Sequence, residues 1–188
     1  MIYVSILEDS FRAVEESKNI NGTQYYYVRV FPLNMEDGTI RAVEVELDHE
    51  PTAEDIAAIE AEAVVREQAR KISEIKVYDK SANVNGFLYN GNEYWFDKQT
   101  RVGLVNSIAI EKIAGKANTI IYCGDTPVEL SIEDAEDFLK DLELYAIACF
   151  RQTEDHIAAV RALTSPHEVK AYDHTASYPA KIELDALV

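Results

Sequence analysis

The pattern of apolar and polar positions in the first fifty residues predicts a small antiparallel β module. Residues 2–7 and 24–31 are rich in β-branched and aromatic types, which favour strands. Residues 40–47 alternate between apolar and polar positions, as in a strand with one buried face. Asp37-Gly38 is a turn signal immediately before that strand. We therefore expect strands joined by short turns over residues 1–50.

A long linker helix is predicted next, over residues 51–78. Thr52 is suited to cap its first turn, with Asp55 three residues further on as the reciprocal partner. Residues 56–77 contain neither Gly nor Pro, so nothing in the sequence interrupts the helix. This helix would join the N-terminal module to a C-terminal one.

The linker helix carries a stripe whose members are spaced three and four residues apart, which is typical of a weak coiled-coil seam. Its members are Ala58, Ala61, Val65, Gln68, Ile72 and Ile75. The stripe can pack inside one subunit, or its apolar members Ala58, Ala61, Val65, Ile72 and Ile75 can form a subunit interface. Short isolated helices are marginal in water, so the stripe would need added contacts from the flanking modules. On the second interpretation we expect a homo-oligomer in an assembly.

The C-terminal region, residues 79–188, predicts a mixture of strands and helices. Asn90-Gly91 supplies the turn of a β-hairpin. Ser131 with Asp134 forms the capping box of a strongly amphipathic helix, whose apolar face includes Cys149 and Phe150. The other predicted elements are a helix over 100–114 capped by Thr100, strands over 119–123 and 127–130, helices over 153–163 and from Ser165-Pro166, and a last strand over 181–184. The predicted fold is α+β, with a β module (1–50), a linker helix (51–78) and an α+β domain (79–188).

The charge balance restricts the partners. The net charge is −16, from 34 acids and 18 bases, and it is spread evenly along the chain. Such a field repels phosphate backbones and anionic membrane surfaces, so we expect neither nucleic acid nor a membrane as a partner. The first residues lack the features of a signal peptide, which predicts a protein made in a reducing cytoplasm. Cys123 and Cys149 are interpreted as small buried hydrophobes.

No pattern of residues predicts a catalytic centre, a cofactor site or a metal site. The four histidines show no His-x-x-x-His spacing, and the seven glycines form no phosphate-binding loop. Acid pairs are plentiful only because the chain is acidic. The sequence therefore predicts a protein that is not an enzyme.

Exposed aromatic side chains are the remaining candidates for function. Neighbours in a strand face opposite sides, so the run around Tyr25 and Tyr27 must expose at least one ring. Trp95 alternates with Phe96, so one of the two faces the core. Arg101 lies in the first turn of a predicted helix, where the dipole disfavours a cation, and this predicts a specific acidic partner. Tyr25, Tyr27, Trp95 and Arg101 are candidate contacts with a protein partner or a glycan.

The region from about residue 71 to residue 184 resembles a domain of unknown function found in phages and prophages of gut bacteria, near tail-fibre and other virion genes. The matching segments are Tyr78–Ser81, Val84–Asn85, Trp95–Leu104, Ile110–Lys112, Leu142–Ala146, Cys149–Phe150 and Tyr172–Pro179. The resemblance brings no catalytic residues with it. It implies a structural component of a tailed bacteriophage virion, associated with the tail, neck or fibre and bound to other virion proteins. The alternatives are a fibre-assembly chaperone and a carbohydrate-binding receptor module.

Overall fold

The computed structural model describes residues 1–184, and its architecture confirms the predicted α+β class. The chain divides into two compact units. Unit 1 comprises Met1–Ile72 with Ala159–Tyr172, and unit 2 comprises Ser73–Ala158 with the chain from Asp173 onwards. These units differ from the predicted segments, because residues of the linker helix belong to both units and a C-terminal segment belongs with the N-terminal module.

Unit 1 contains a four-stranded antiparallel sheet. Its strands are β1 (Ile2–Leu7), β2 (Val14–Ile20), β3 (Thr23–Asn34) and β4 (Thr39–Leu47). They lie in the order β1-β4-β3-β2. Strand β2 was not predicted, because its sequence has no internal apolar alternation and nearly all of it is exposed. It is attached through Arg29 of β3, whose buried guanidinium contacts Glu15 of β2 at 2.6 Å and Glu44 of β4 at 2.8 Å.

The long helix α1 (Ala53–Asp79) begins with the predicted capping box. The Thr52 amide donates to Asp55 Oδ2 at 2.9 Å, and the Asp55 amide donates to Thr52 Oγ1 at 3.2 Å. Ile59 and Ala63 on α1 pack with Val28, Val30 and Val43 of the sheet to form the core of unit 1.

The short helix α5 (Pro166–Ala171) also belongs to unit 1. A proline at its first position starts the helix as predicted, but Ser165 makes no side-chain capping hydrogen bond. His167 Nε2 lies 2.5 Å from the carbonyl oxygen of Phe31. A carbonyl only accepts, so Nε2 carries the proton. Phe31 has φ 53° and lies between Val30 and Leu33, where the pairing of β3 with β4 is interrupted.

Unit 2 is built from short strands and two longer helices. The one-turn helix α2 (Ala82–Asn85) precedes a hairpin of β5 (Gly86–Tyr89) and β6 (Asn92–Trp95). The hairpin turns at Asn90-Gly91, where both residues have positive φ, as predicted. Strand β9 (Glu183–Leu184) pairs with β5 in parallel. A second hairpin is formed by β7 (Asn118–Cys123) and β8 (Thr126–Ser131). The helices are α3 (Lys98–Ile113) and α4 (Ile132–Ala162), and the end of α4 lies in unit 1.

Two helix boundaries correct the predictions. The N-cap of α3 is Asp97, whose Oδ1 accepts from the Thr100 amide at 2.7 Å, so Thr100 is not the cap. The predicted helix over 153–163 is the continuation of α4, because no Gly or Pro interrupts the chain there. Thr153 lies inside this helix, and its hydroxyl contacts the Cys149 carbonyl one turn earlier at 3.2 Å. The capping box of Ser131 and Asp134 at the start of α4 is confirmed.

The core of unit 2 surrounds Phe87, which is fully buried. Its ring meets Phe96 at a centroid distance of 5.1 Å and Phe138 of α4 at 5.8 Å, both edge-on. Cys123 and Cys149 are buried in the same core as predicted, and burial raises the pKa of both thiols. Within residues 1–184, none of the helices combines the length and the apolar character that a bilayer crossing requires.

Candidate functional site

The structure brings two of the predicted contact residues, Trp95 and Arg101, to the same cleft in unit 2. The cleft has a volume of about 660 Å³. Its walls come from the end of β6, the first turn of α3, the middle of α4 and the residues around the end of α1. We call it the β6–α4 cleft.

The alternation of the hairpin positions Trp95. Tyr94 turns inward and meets Phe87 at a centroid distance of 6.0 Å, so Trp95 faces the other side of the strand. Phe96 is buried, whereas Trp95 is 42% exposed. This confirms that only one member of the Trp95-Phe96 pair faces the core.

Arg101 is held rigidly at the base of the cleft. Only 7% of the residue is exposed. Its Nε donates to Glu143 Oε2 on α4 at 2.8 Å, and its Nη1 donates to the Phe96 carbonyl at 2.8 Å. Glu143 is therefore the acidic partner that the unfavourable position of Arg101 predicted.

The apolar wall of the cleft comes from α4. Ile147 and Phe150 lie one turn apart on this helix, and Phe150 is 56% exposed. The sequence pattern placed Phe150 on the buried apolar face together with Cys149. The structure corrects this, because consecutive residues on a helix point about 100° apart and only Cys149 faces the core.

The polar lining of the cleft is fixed by hydrogen bonds within unit 2. Asp79 Oδ1 accepts from Thr153 Oγ1 at 2.7 Å, and Asn85 Nδ2 donates to the Asp79 carbonyl at 2.7 Å. The backbone hydrogen bond from Thr100 is the main cause that lowers the pKa of Asp97. A carboxyl group held ionised in a helix cap is suited to orienting a ligand rather than to donating a proton.

The charged side chains of the cleft balance one another, although the chain as a whole is strongly acidic. Three acids and three bases line it: Asp79, Asp97, Glu143, Lys80, Lys98 and Arg101. The cleft thus combines exposed apolar surface with prealigned polar groups and no formal net charge. Such a lining suits a ligand that is itself neutral or of mixed charge.

The predicted contact residues Tyr25 and Tyr27 belong to unit 1. Both lie on one face of β3 and are half-buried. Lys18 Nζ lies 5.5 Å from the Tyr25 ring centroid, and the Arg29 guanidinium lies 5.6 Å from that of Tyr27. Each ring already has a cation against it, so these tyrosines offer less free aromatic surface than Trp95.

The candidate subunit stripe on α1 is not uniform. Ala58, Ala61 and Val65 are exposed, and Ile72 is half-buried. Ile75 is 0% exposed, so its assignment to a subunit interface is wrong: the side chain has no surface left to offer. The face of α1 that packs on the sheet carries Ile59 and Ala63, outside the stripe.

Among residues 1–184, no three His, Cys, Asp or Glu side chains are grouped as metal ligands would be. Comparisons of the chain with models of protein families, with curated proteins and with solved structures gave no match. The resemblance to phage and prophage domains accordingly stays a prediction.

Proposed function

We propose that this chain is a non-enzymatic binding protein that assembles with other proteins of a tailed bacteriophage particle, and that the β6–α4 cleft receives a segment of a partner polypeptide. The observation that carries the proposal is the exposure of Trp95, Ile147 and Phe150 around the anchored guanidinium of Arg101.

The energetic argument starts from the two aromatic rings. A fully buried aromatic side chain removes ~150–250 Å² from water. Trp95 and Phe150 each leave roughly half of that for a partner to cover. At ~25 cal/mol per Å² this is about 2–3 kcal/mol for each ring, before the cost of association. Trp and Arg are also the side chains most enriched among the residues that dominate binding energies.

The charge balance favours a polypeptide as the occupant. A neutral lining inside a chain of net charge −16 is matched by a segment that carries an apolar side chain and few or mixed charges. Arg101 is already fixed by Glu143 and the Phe96 carbonyl, so binding would cost it little conformational freedom.

The phage setting of the proposal rests on the resemblance of residues 71–184. Its segments Trp95–Leu104, Leu142–Ala146 and Cys149–Phe150 contain much of the wall of the cleft. We further propose that the protein is a homo-oligomer in the particle, with the exposed positions Ala58, Ala61 and Val65 of α1 as contacts. The first fifty residues, which lie outside the resemblance, would supply additional docking surface.

The test measures incorporation into particles of the phage that encodes the chain. We expect Trp95→Ala and Phe150→Ala to fold like the parent but to appear in purified particles at one tenth of its level or less, by quantitative mass spectrometry. Val105→Ala on α3 is the matched control, because Val105 is an exposed apolar residue outside the lining of the cleft. If the parent chain itself is absent from purified particles, a structural role is refuted and an assembly chaperone takes its place.

A carbohydrate-binding receptor module is the second candidate. The exposed Trp95 ring lies beside Asn85, Asp97 and Gln99 in the cleft, and an aromatic platform with polar neighbours suits a sugar ring. A glycan array with the purified chain discriminates the two candidates. Binding that is lost in Trp95→Ala and retained in Trp95→Phe would favour the glycan; an array without binding would favour the polypeptide.

A further inference from the structure

A second cleft, in unit 1, gathers cations in an otherwise acidic chain. It has a volume of about 450 Å³ and lies between β1 and the middle of α1. Arg66, Arg70 and Lys170 line it together with one carboxylate, Glu67. Three cations and one carboxylate leave a formal charge of +2, in a chain whose net charge is −16.

Glu67 is a nearly buried carboxylate that positions two other side chains of this cleft. It is 6% exposed, its Oε2 accepts from the Tyr3 hydroxyl at 3.2 Å, and its Oε1 accepts from Arg70 Nε at 2.8 Å. Burial, and after it the charge of Glu67, raise the pKa of the Tyr3 hydroxyl, which therefore stays protonated as the donor. The buried carboxylate thus fixes both the tyrosine ring and one guanidinium.

Lys170 is held over that ring. Its Nζ lies 4.9 Å from the Tyr3 ring centroid. The short helix that carries it is tied to α1, because Lys71 Nζ donates to the carbonyls of Lys170 and Tyr172 at 3.1 Å each. Lys170 therefore reaches the cleft from a fixed backbone.

Arg66 is, after Lys170, the second cation of the cleft that is not paired with Glu67. It lies one helical turn before Arg70, on the same side of α1. Its Nη1 donates to the Met1 carbonyl at 3.3 Å, a long hydrogen bond to a neutral acceptor. In the part of the chain that the structure describes, neither Arg66 nor Lys170 forms an ion pair with a carboxylate. Both exposed cations can therefore bind an anion without first releasing an acid.

The remaining wall of the cleft is apolar and comes from Met1, Ile2, Val43 and Ala63. We propose that this cleft binds a small oxyanion, a carboxylate or a phosphate, carried on an apolar or aromatic body. The planar fork of Arg66 matches two oxygens of the anion, Lys170 adds a point charge, and the apolar wall covers the body. The inference is independent of the function proposed for the β6–α4 cleft.

The experiment uses the full chain, with phenyl phosphate, benzoate, inorganic phosphate and benzyl alcohol as probes. Binding is followed by amide chemical shifts and by calorimetry. We expect phenyl phosphate and benzoate to bind and to shift amides around Tyr3 and Arg70. Inorganic phosphate lacks the body and benzyl alcohol lacks the charge, and each should bind at least tenfold more weakly. The ratio of phenyl phosphate to benzoate affinity tells which oxyanion the site prefers.

Matched charge variants connect the binding to the site. Arg66→Gln and Lys170→Gln should each weaken phenyl phosphate binding by about three- to tenfold, as expected for loss of one charged contact. Arg161→Gln removes an exposed cation of unit 1 that does not line the cleft, and it should change the affinity less than twofold. All three positions are exposed, so the fold should be unaffected.

Three results would overturn the proposal. The first is no shift with any anionic probe at millimolar concentration. The second is binding that Arg66→Gln and Lys170→Gln leave unchanged, and the third is equal affinity for inorganic and phenyl phosphate, which would exclude a site for the apolar body. None of these results bears on particle incorporation of Trp95→Ala, so the two proposals fail separately.

Discussion

The ion pair of Arg101 and Glu143 leads to a quantitative prediction, because its two members differ in burial. Arg101 is 7% exposed as a residue, whereas the side chain of Glu143 is 44% exposed. Arg101→Met keeps most of the side-chain volume but removes both donors. Glu143→Gln keeps an acceptor for Arg101 and removes only the charge.

The expected losses of stability follow from the groups left behind. In Arg101→Met the buried Phe96 carbonyl loses the side-chain donor at 2.8 Å, and a buried group without its partner costs about 1–3 kcal/mol. Loss of the contact with Glu143 adds up to about 1 kcal/mol, because that carboxylate is well solvated. We therefore expect Arg101→Met to lower the free energy of unfolding by about 1–4 kcal/mol. Glu143→Gln should lower it by at most about 1 kcal/mol.

Thermal and urea unfolding of the parent, both single variants and the double variant measure this difference. For a chain of this size, ~1 kcal/mol corresponds to ~2–4 °C in Tm, so Arg101→Met should lower Tm by at least ~2 °C. The ion pair is already broken in Arg101→Met. The free energies of unfolding of the double variant and of Arg101→Met should therefore agree within ~0.5 kcal/mol. If Glu143→Gln proves as damaging as Arg101→Met, the ion pair and not the buried carbonyl holds Arg101, and the reasoning from burial is refuted.

Three further predictions concern the core, the start of α1 and the surface. Phe87→Ala should lower the free energy of unfolding by about 3–5 kcal/mol in urea titrations, since the ring is fully buried, and a loss below ~1.5 kcal/mol would contradict its central place in the core. Hydrogen bonds with Asp48 and, after it, Asp55 raise the pKa of the His49 imidazole above its ordinary value. Protonated His49 therefore stabilises the fold at pH values below the pKa that it has in the unfolded chain. This stabilisation is lost as the pH rises through its pKa in the folded protein. NMR titration should show a lower His49 pKa in Asp48→Asn than in the parent. Val65→Asp should change the free energy of unfolding by no more than ~0.5 kcal/mol, because Val65 is 62% exposed. Incorporation of this variant into particles at the level of the parent would exclude Val65 from a subunit contact there.

The predictions that the structure confirms depend on neighbours in sequence. The capping boxes at Thr52 and Ser131 join residues three apart, and the Asn90-Gly91 turn is decided by two adjacent backbone conformations. Strand β2 was not predicted, because apolar and polar residues do not alternate in its sequence. It is held by pairing with β3 and by the Arg29–Glu15 ion pair, which a local pattern does not contain.

In the candidate site, too, some features follow from local sequence and others from tertiary packing. Strand alternation predicted that one of Trp95 and Phe96 faces the core. The position of Arg101 in a helix predicted an acidic partner for it. The identity of that partner required the packing of α4 on α3, since Glu143 lies 42 residues away along the chain. Exposure of Phe150 likewise depends on which face of α4 the core covers. Local sequence is thus sufficient for most of the elements and for two individual residues of the cleft. Their meeting in one cleft depends on packing between segments far apart in sequence, which a local pattern does not contain.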